Sequence, residues 1–213
     1  MKLIGKLVVV AAVVLAIGGA TMFGFMKKRP DRLSLDVRPH PSQIAALHVI
    51  GNDLMLVDSS LRGRSQTGGF NYQSRFGAAM SFDVMWFDVA AKQFYASSFE
   101  VDAYNLSTFG EEGIHASLKI VAGPGADVTV TTPHPEALRL MGLNKMDDIT
   151  PEMDVPVTLL ELCAEPRDSD PSRDGILMRV MGDASSMEAA KSQNDNWLAQ
   201  NAAPQSRCSQ GDT

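Results

Sequence analysis

The sequence predicts an α+β fold in which an N-terminal transmembrane helix is followed by a β-rich antiparallel domain with a few short helices. Two observations lead to this prediction. Residues 7–26 contain no charged side chain, and about 20 apolar residues in a helix match the roughly 30 Å hydrocarbon core of a bilayer. Further along the chain, apolar side chains recur with a period of two in short segments separated by turn residues, a pattern typical of strands.

The uncharged run has three interpretations. An uncleaved signal anchor is favoured, because the run is long enough to span and basic residues flank both ends. A cleaved signal peptide would end near Gly18, Gly19 and Ala20, but apolar residues continue to Met26. A buried core helix is the third interpretation, and the absence of a following cysteine excludes a lipoprotein anchor.

The position of the run favours export over a cytoplasmic location. Basic charges on its two sides nearly balance and slightly favour a cytoplasmic C-terminal side, which is the alternative orientation. A short basic segment before an apolar run, however, is typical of an export signal. We therefore expect a single-pass protein of the bacterial inner membrane, which contacts the membrane through residues 7–26 and has its soluble domain in the periplasm. A cleaved and secreted form is the alternative.

The composition of the sequence divides the chain into four predicted regions. The sequence predicts a signal anchor over residues 1–28, a proline-containing linker over 29–43, a β-rich soluble domain over 44–201 and a flexible, polar tail over 202–213.

The predicted elements of the soluble domain are mostly strands. The sequence predicts hairpins that pair residues 44–50 with 54–57, 80–89 with 93–101, and 118–121 with 128–130. A further strand is predicted over 33–37, with others over 155–163 and 176–180. Helices are predicted over 135–143 and after the capping-box spacing of Ser185 and Glu188.

Charge limits the classes of partner. The chain has a net charge of −6 and residues 1–32 carry +5, so residues 33–213 carry −11. An acidic domain repels phosphate backbones, which excludes nucleic acid as an expected partner and favours a basic protein.

Cys163 and Cys208 are the only two cysteines. In an exported domain this pair is able to form a disulfide that ties the C-terminal tail to the body. The alternative is a buried Cys163 that packs as a small apolar residue, with Cys208 free in the tail. Spacing alone leaves both states open.

Motifs for catalysis and metal binding are absent from the sequence. It contains no zinc-protease, nucleophile-elbow, phosphate-loop or dithiol motif, and none of its four histidines has metal-ligand spacing. We therefore expect no enzyme activity, no metal and no cofactor. A hydrolase with dispersed catalytic residues is the least favoured hypothesis.

A glycine- and arginine-containing loop at residues 59–77 is the predicted partner-binding segment. Arginine and aromatic residues dominate many interface hot spots, and glycines let a partner approach the backbone. The alternative is a mobile loop with solvated side chains. The candidate binding residues are Arg62, Arg64, Phe70, Tyr72 and Arg75.

The middle of the chain resembles a known family. Residues 82–88 contain Trp86, residues 93–95 follow with Tyr95, and residues 118–125 lead through a Pro-Gly turn into 128–130. Over residues 41–131 this is similar to an uncharacterised family of Gram-negative cell-envelope proteins, mostly lipoproteins. Some members are encoded beside type VI secretion lipase effectors and are taken as immunity proteins. Thr131 replaces the tryptophan usual there, and no lipid-bearing cysteine is present.

The sequence thus predicts a membrane-anchored periplasmic protein that binds an unknown ligand. The resemblance implies an immunity-type role, in which the protein binds and neutralises a protein effector. The alternative is a non-catalytic accessory or structural subunit of a bacterial envelope complex.

Overall fold

The computed structural model describes residues 30, 32–52, 54–60, 68–71, 79–109, 115–169, 175 and 181–209, and only the backbone of 54–60 and 68–71. These residues form eleven strands: β1 (Arg32–Pro39), β2 (Ala45–Gly51), β3 (Leu54–Ser60), β4 (Gly68–Asn71), β5 (Ala79–Asp88), β6 (Gln93–Asp102), β7 (Thr108–Phe109), β8 (His115–Ala122), β9 (Asp127–Thr132), β10 (Val157–Cys163) and β11 (Glu165–Arg167). The helices are α1 (Pro135–Gly142), α2 (Pro151–Asp154) and α3 (Ala184–Gln200). Three short 3-10 turns cover Ala103–Asn105, Met146–Asp148 and Arg207–Ser209.

The strands make two sheets. The first has the order β10-β9-β8-β1-β4, with β7 also paired to β8, and the second has the order β11-β6-β5-β2-β3. Alternating side chains of both sheets enclose one core, which contains Leu35 of β1, Leu118 of β8, Val130 of β9 and Trp86 of β5. Alternation in the sequence therefore encodes the buried face of each sheet.

The hairpin of β5 and β6 is the longest pairing in the second sheet. Its register places Trp86 opposite Tyr95 and Phe87 opposite Phe94, with ring centroids 5.3 and 4.5 Å apart. Aromatic pairs across strands stabilise a hairpin by about 0.5–1.5 kcal/mol each beyond their burial. The predicted hairpin over 80–101 is confirmed by this register.

The predicted fold class is wrong. The described part is mostly β-sheet in two layers, and its first sheet is mixed, because β1 runs parallel to β8 over eight residue pairs. None of the helices described here is both long and apolar enough to cross a membrane. The three helices are short or polar and contribute little to the core, so a two-sheet β architecture replaces the predicted α+β class. Residues 7–26, on which the transmembrane prediction rested, lie outside the described residues.

Helix α3 packs against the outer face of the second sheet. Ala190 of α3 is buried with Ala46 of β2 and Phe87 of β5 in a small second cluster. The helix begins after Asp183, whose carboxylate accepts the backbone N–H groups of Ser185 and Ser186. These bonds and the two serine hydroxyls lower the pKa of Asp183 to about 2. The cap is therefore Asp183, and not the capping box that the sequence predicts.

Candidate partner-binding surface

The connector between β9 and β10, residues 133–156, carries α1, one 3-10 turn and α2. His134 caps α1, since its Nδ1 accepts the backbone N–H of Glu136 at 3.2 Å, and Pro135 occupies the first turn. Ala137, Leu138 and Leu140 are buried, and the helix contacts β7. This packing fixes one face of the connector on the sheet and leaves its other side to solvent.

Exposed apolar side chains concentrate on this connector and its borders. Among the described residues seven large hydrophobic side chains are exposed. Four lie within the connector and Val157 directly follows it, whereas Tyr104 belongs to the turn after β6 and lines the same groove as Pro135 and Val157. Leu198 lies apart in α3. Met146 is 66% exposed and Val155 is 62% exposed. We call the six together the apolar surface: Tyr104, Met141, Leu143, Met146, Val155 and Val157. Single exposed hydrophobic residues are ordinary, whereas large contiguous apolar patches are typical of interaction sites.

A groove of about 420 Å³ opens beside the apolar surface. It lies between Tyr104 on one side and Pro135 and Val157 on the other, with Thr132 also in its lining. Its volume falls in the range of small-ligand pockets, roughly 300–1,000 Å³. The groove therefore has room for at least one side chain of a partner.

A buried threonine connects the segments that line the groove. Thr132 is 1% exposed, and its Oγ1 donates to the carbonyl of Ser117 at 2.9 Å and accepts the backbone N–H of Ser107 at 3.0 Å. These bonds tie the segment before β7 to the ends of β8 and β9. At the same wall, Asp102 accepts the backbone N–H of Tyr104 at 2.9 Å. These hydrogen bonds therefore fix the backbone positions of Tyr104 and Ser107.

Acidic side chains surround the apolar surface. Asp147, Asp148, Glu152 and Asp154 are all exposed, and the neighbouring base is Lys145. The bonds that Glu152 accepts from Thr150 and from its own backbone lower the pKa of its carboxyl. The two remaining charges of the connector neutralise each other, since Arg139 Nε donates to Glu136 at 2.8 Å. The rim therefore has a negative potential.

The groove offers contacts for binding and few groups for proton transfer. Among the described residues its lining combines apolar carbons with the hydroxyl and amide groups of residues 104–108 and Thr132. Of the side chains that commonly act as general acids or bases, the described lining contains the phenol of Tyr104. The arrangement suits recognition of an apolar group.

A second, smaller cavity of about 130 Å³ lies between α3 and the loop after β1. His40 and Trp197 line it and make an edge-to-face contact with ring centroids 5.4 Å apart. His40 Nδ1 is 2.7 Å from Ser42 Oγ. Burial lowers the pKa of His40, and the Asp127 carboxylate opposes this shift.

This serine–histidine contact stabilises a turn. The backbone N–H of Ser42 donates to the same nitrogen of His40 at 3.2 Å, so the nitrogen is an acceptor for a residue two positions away. The oxygens of Asp127 accept bonds from Ser206 Oγ at 2.8 Å and from the backbone N–H groups of Arg207 and Cys208 at 3.1 Å. The Asp127 carboxylate is therefore committed to the C-terminal segment rather than to orienting His40 as a base.

The Cys163–Cys208 disulfide is present in the structure, which is one of the two states that spacing left open. It joins the end of β10 to the segment held by Asp127. Arg207 adds an ion pair, with Nη1 2.6 Å from Glu161 Oε2. Residues 202–209 belong to the region predicted as a flexible tail, and in the structure these contacts fasten residues 206–208 to the outer face of the first sheet.

The predicted binding loop lies mostly outside the described residues. This applies to Arg62, Arg64, Tyr72 and Arg75. Phe70 belongs to β4, where its backbone pairs with Leu33 of β1. The role of the loop in binding stays a prediction.

A separate signal in the sequence points to the connector. Met146 lies among asparagine, lysine and aspartate residues, outside the predicted helix over 135–143 and the predicted strand over 155–163. An apolar residue outside any periodic pattern is the signal in the sequence that indicates an exposed apolar side chain here. Within the described ranges, no group of three or more His, Cys, Asp or Glu side chains is arranged to hold a metal ion.

Comparisons with protein-family models, with curated proteins and with solved structures found no match for this chain. The case for function therefore depends on the geometry of its own residues.

Proposed function

We propose that this protein is a non-catalytic binding protein that recognises a protein partner through the apolar surface. The observation that carries the proposal is the placement of the seven exposed large hydrophobic side chains of the described residues: five lie on the connector or directly after it, and Tyr104 lines the adjoining groove. Partner binding would remove this area from water, and burying one such side chain fully contributes about 1.5–3 kcal/mol. Methionine adds an adaptable contact that fits partners of irregular shape.

We further propose that it works in an oxidising compartment outside the cytoplasm. The disulfide between Cys163 and Cys208 supports this location, because such bonds persist in secreted and periplasmic proteins and are rare in the reducing cytosol. A periplasmic or secreted binding protein fits both the disulfide and the acidic surface.

Two uses of one binding surface fit this proposal. An immunity-type protein would bind an effector and block its activity, whereas an accessory subunit would remain in a standing envelope complex. Both need the apolar surface to be covered in the bound state. They differ in whether the partner has a toxic activity that this protein abolishes.

Site-specific photo-crosslinking in the native host tests the proposal. A photoreactive residue at Met146 of the full chain should form one discrete covalent adduct. The same residue at Gln200, an exposed position of α3, is the matched control and should form none. Val155→Ser should reduce the adduct from Met146 several-fold while leaving the melting temperature unchanged, since exposed substitutions usually change stability by less than about 0.5 kcal/mol. Equal labelling from Met146 and Gln200, or no adduct, would refute the proposal.

A further inference from the structure

We infer, on the basis of the proposed function, that the partner presents a cationic peptide segment with an apolar anchor. The anchor side chain enters the groove between Tyr104 and Val157, and basic side chains of the same segment meet the acidic rim. The inference deepens the proposed function, because it names the chemistry that the surface selects.

The charge of the rim determines the sign of the charge that a partner must carry. Asp147, Asp148, Glu152 and Asp154 are exposed, and Lys145 is the one base beside them in the connector. The ion pairs found among the described residues do not involve any of these four carboxylates. A lysine or arginine of the partner would gain from several carboxylates at once, and this gain is screened by salt.

The same charge argues against a second copy of this chain. Residues 33–213 carry a net charge of −11, and a symmetric contact through the apolar surface would bring two acidic rims together. Like charges facing each other across an interface oppose association. Nucleic acid and anionic lipid headgroups are opposed for the same reason.

The extent of the surface favours a peptide segment over a small molecule. A small ligand in the groove would cover Tyr104 and Val157 but would leave Met146 and Val155 in water. A chain that runs from the groove along the connector covers both parts. Interfaces of this type combine one seated anchor with a polar and charged rim.

Three labelled synthetic peptides test the inference on the purified, oxidised full-length protein. The probe is a glycine- and serine-based peptide that carries two leucines and three lysines. One comparator replaces the lysines with glutamates, and the other replaces the leucines with serines. Fluorescence anisotropy should show that the probe binds at least about tenfold more tightly than either comparator, and that its affinity falls as salt rises to about 0.5 M.

Variants of the full-length protein then locate the binding. Val157→Thr, which keeps a β-branched side chain in β10, should weaken the probe at least about fivefold by removing apolar contact from the groove. Asp154→Asn should also weaken it, whereas Glu188→Gln, which removes an exposed charge from α3, should not. Thermal melts of the three variants identify any loss of fold.

The outcomes distinguish a wrong partner chemistry from a wrong proposed function. Equal affinity for the lysine and glutamate peptides would overturn it, as would equal weakening by Asp154→Asn and Glu188→Gln. A discrete adduct from Met146 together with failure of the lysine peptide would overturn only the partner chemistry and leave the proposed function standing. Absence of an adduct together with selective peptide binding would instead refute the proposed function.

Discussion

Reduction of the Cys163–Cys208 disulfide should strongly destabilise the domain. The two cysteines are separated by 45 residues, and the chain-entropy model for a loop of this length gives about 4 kcal/mol. Small domains have a total stability of only about 5–15 kcal/mol. Urea denaturation with and without a dithiol reductant measures the difference. With a urea dependence of about 2 kcal/mol per M, the midpoint should fall by about 2 M.

A cysteine-free variant provides the control for this prediction. Cys163→Ala combined with Cys208→Ala should have the stability of the reduced protein, and reductant should not change it further. A midpoint that falls by less than about 0.5 M on reduction would show that the cross-link does not restrain the unfolded chain as the model assumes.

Three further predictions concern the same end of the molecule. Gly123→Ala should lower the free energy of unfolding by about 1–3 kcal/mol in urea denaturation, because Gly123 has φ +94° and its new Cβ would also displace the end of the Gln43 side chain. Gly142→Ala, with no atom within 4 Å, should cost nothing and is the matched control. Asp127→Asn should cost about 1.5–3 kcal/mol by weakening charge-assisted bonds to residues 206–208, and an unchanged midpoint would contradict this. Burial lowers the pKa of His40 in the folded state, so the unfolded chain binds a proton at His40 more readily as the pH falls below 6.5. The free energy of unfolding should therefore decrease as the pH falls below that value. A His40→Asn variant should lack this contribution to the pH dependence of stability.

Local periodicity was sufficient to predict the β5–β6 hairpin. Strict alternation of Met80, Phe82, Val84 and Trp86 placed one face in the core, and all four side chains are buried. Helix α1 was predicted over 135–143 and is found over Pro135–Gly142, because a proline in the first turn marks a helix start. Such elements are determined by residues close in sequence.

Long-range pairing was not predictable in the same way. The parallel pair of β1 and β8 joins Leu35 to Leu118 across 83 positions, and neither strand carries a local signal for the other. Parallel strands require a crossover and not a turn, so turn residues do not reveal them. The mixed character of the first sheet, which overturned the predicted antiparallel arrangement, therefore appears only when the whole fold is assembled.

The candidate surface shows a similar limit. Sequence composition drew attention to the arginine-containing loop, whereas the structure shows the exposed apolar side chains on the connector between β9 and β10. Exposure depends on which face of α1 meets β7, and this is a property of tertiary packing. Val155, which lies in the predicted strand over 155–163, looks in the sequence like an ordinary core residue.

Hydroxyl-radical footprinting in living cells tests whether a partner covers the apolar surface. The side-chain modification rate of Met146, which is 66% exposed in the isolated chain, is compared between the native host and the purified protein, with Leu198 of α3 as the exposed reference outside the apolar surface. We expect the modification rate of Met146 to be several-fold lower in the cell than in the purified protein, while the rate at Leu198 is unchanged. Equal rates at Met146 in the cell and in the purified protein would contradict the claim that this surface binds a partner.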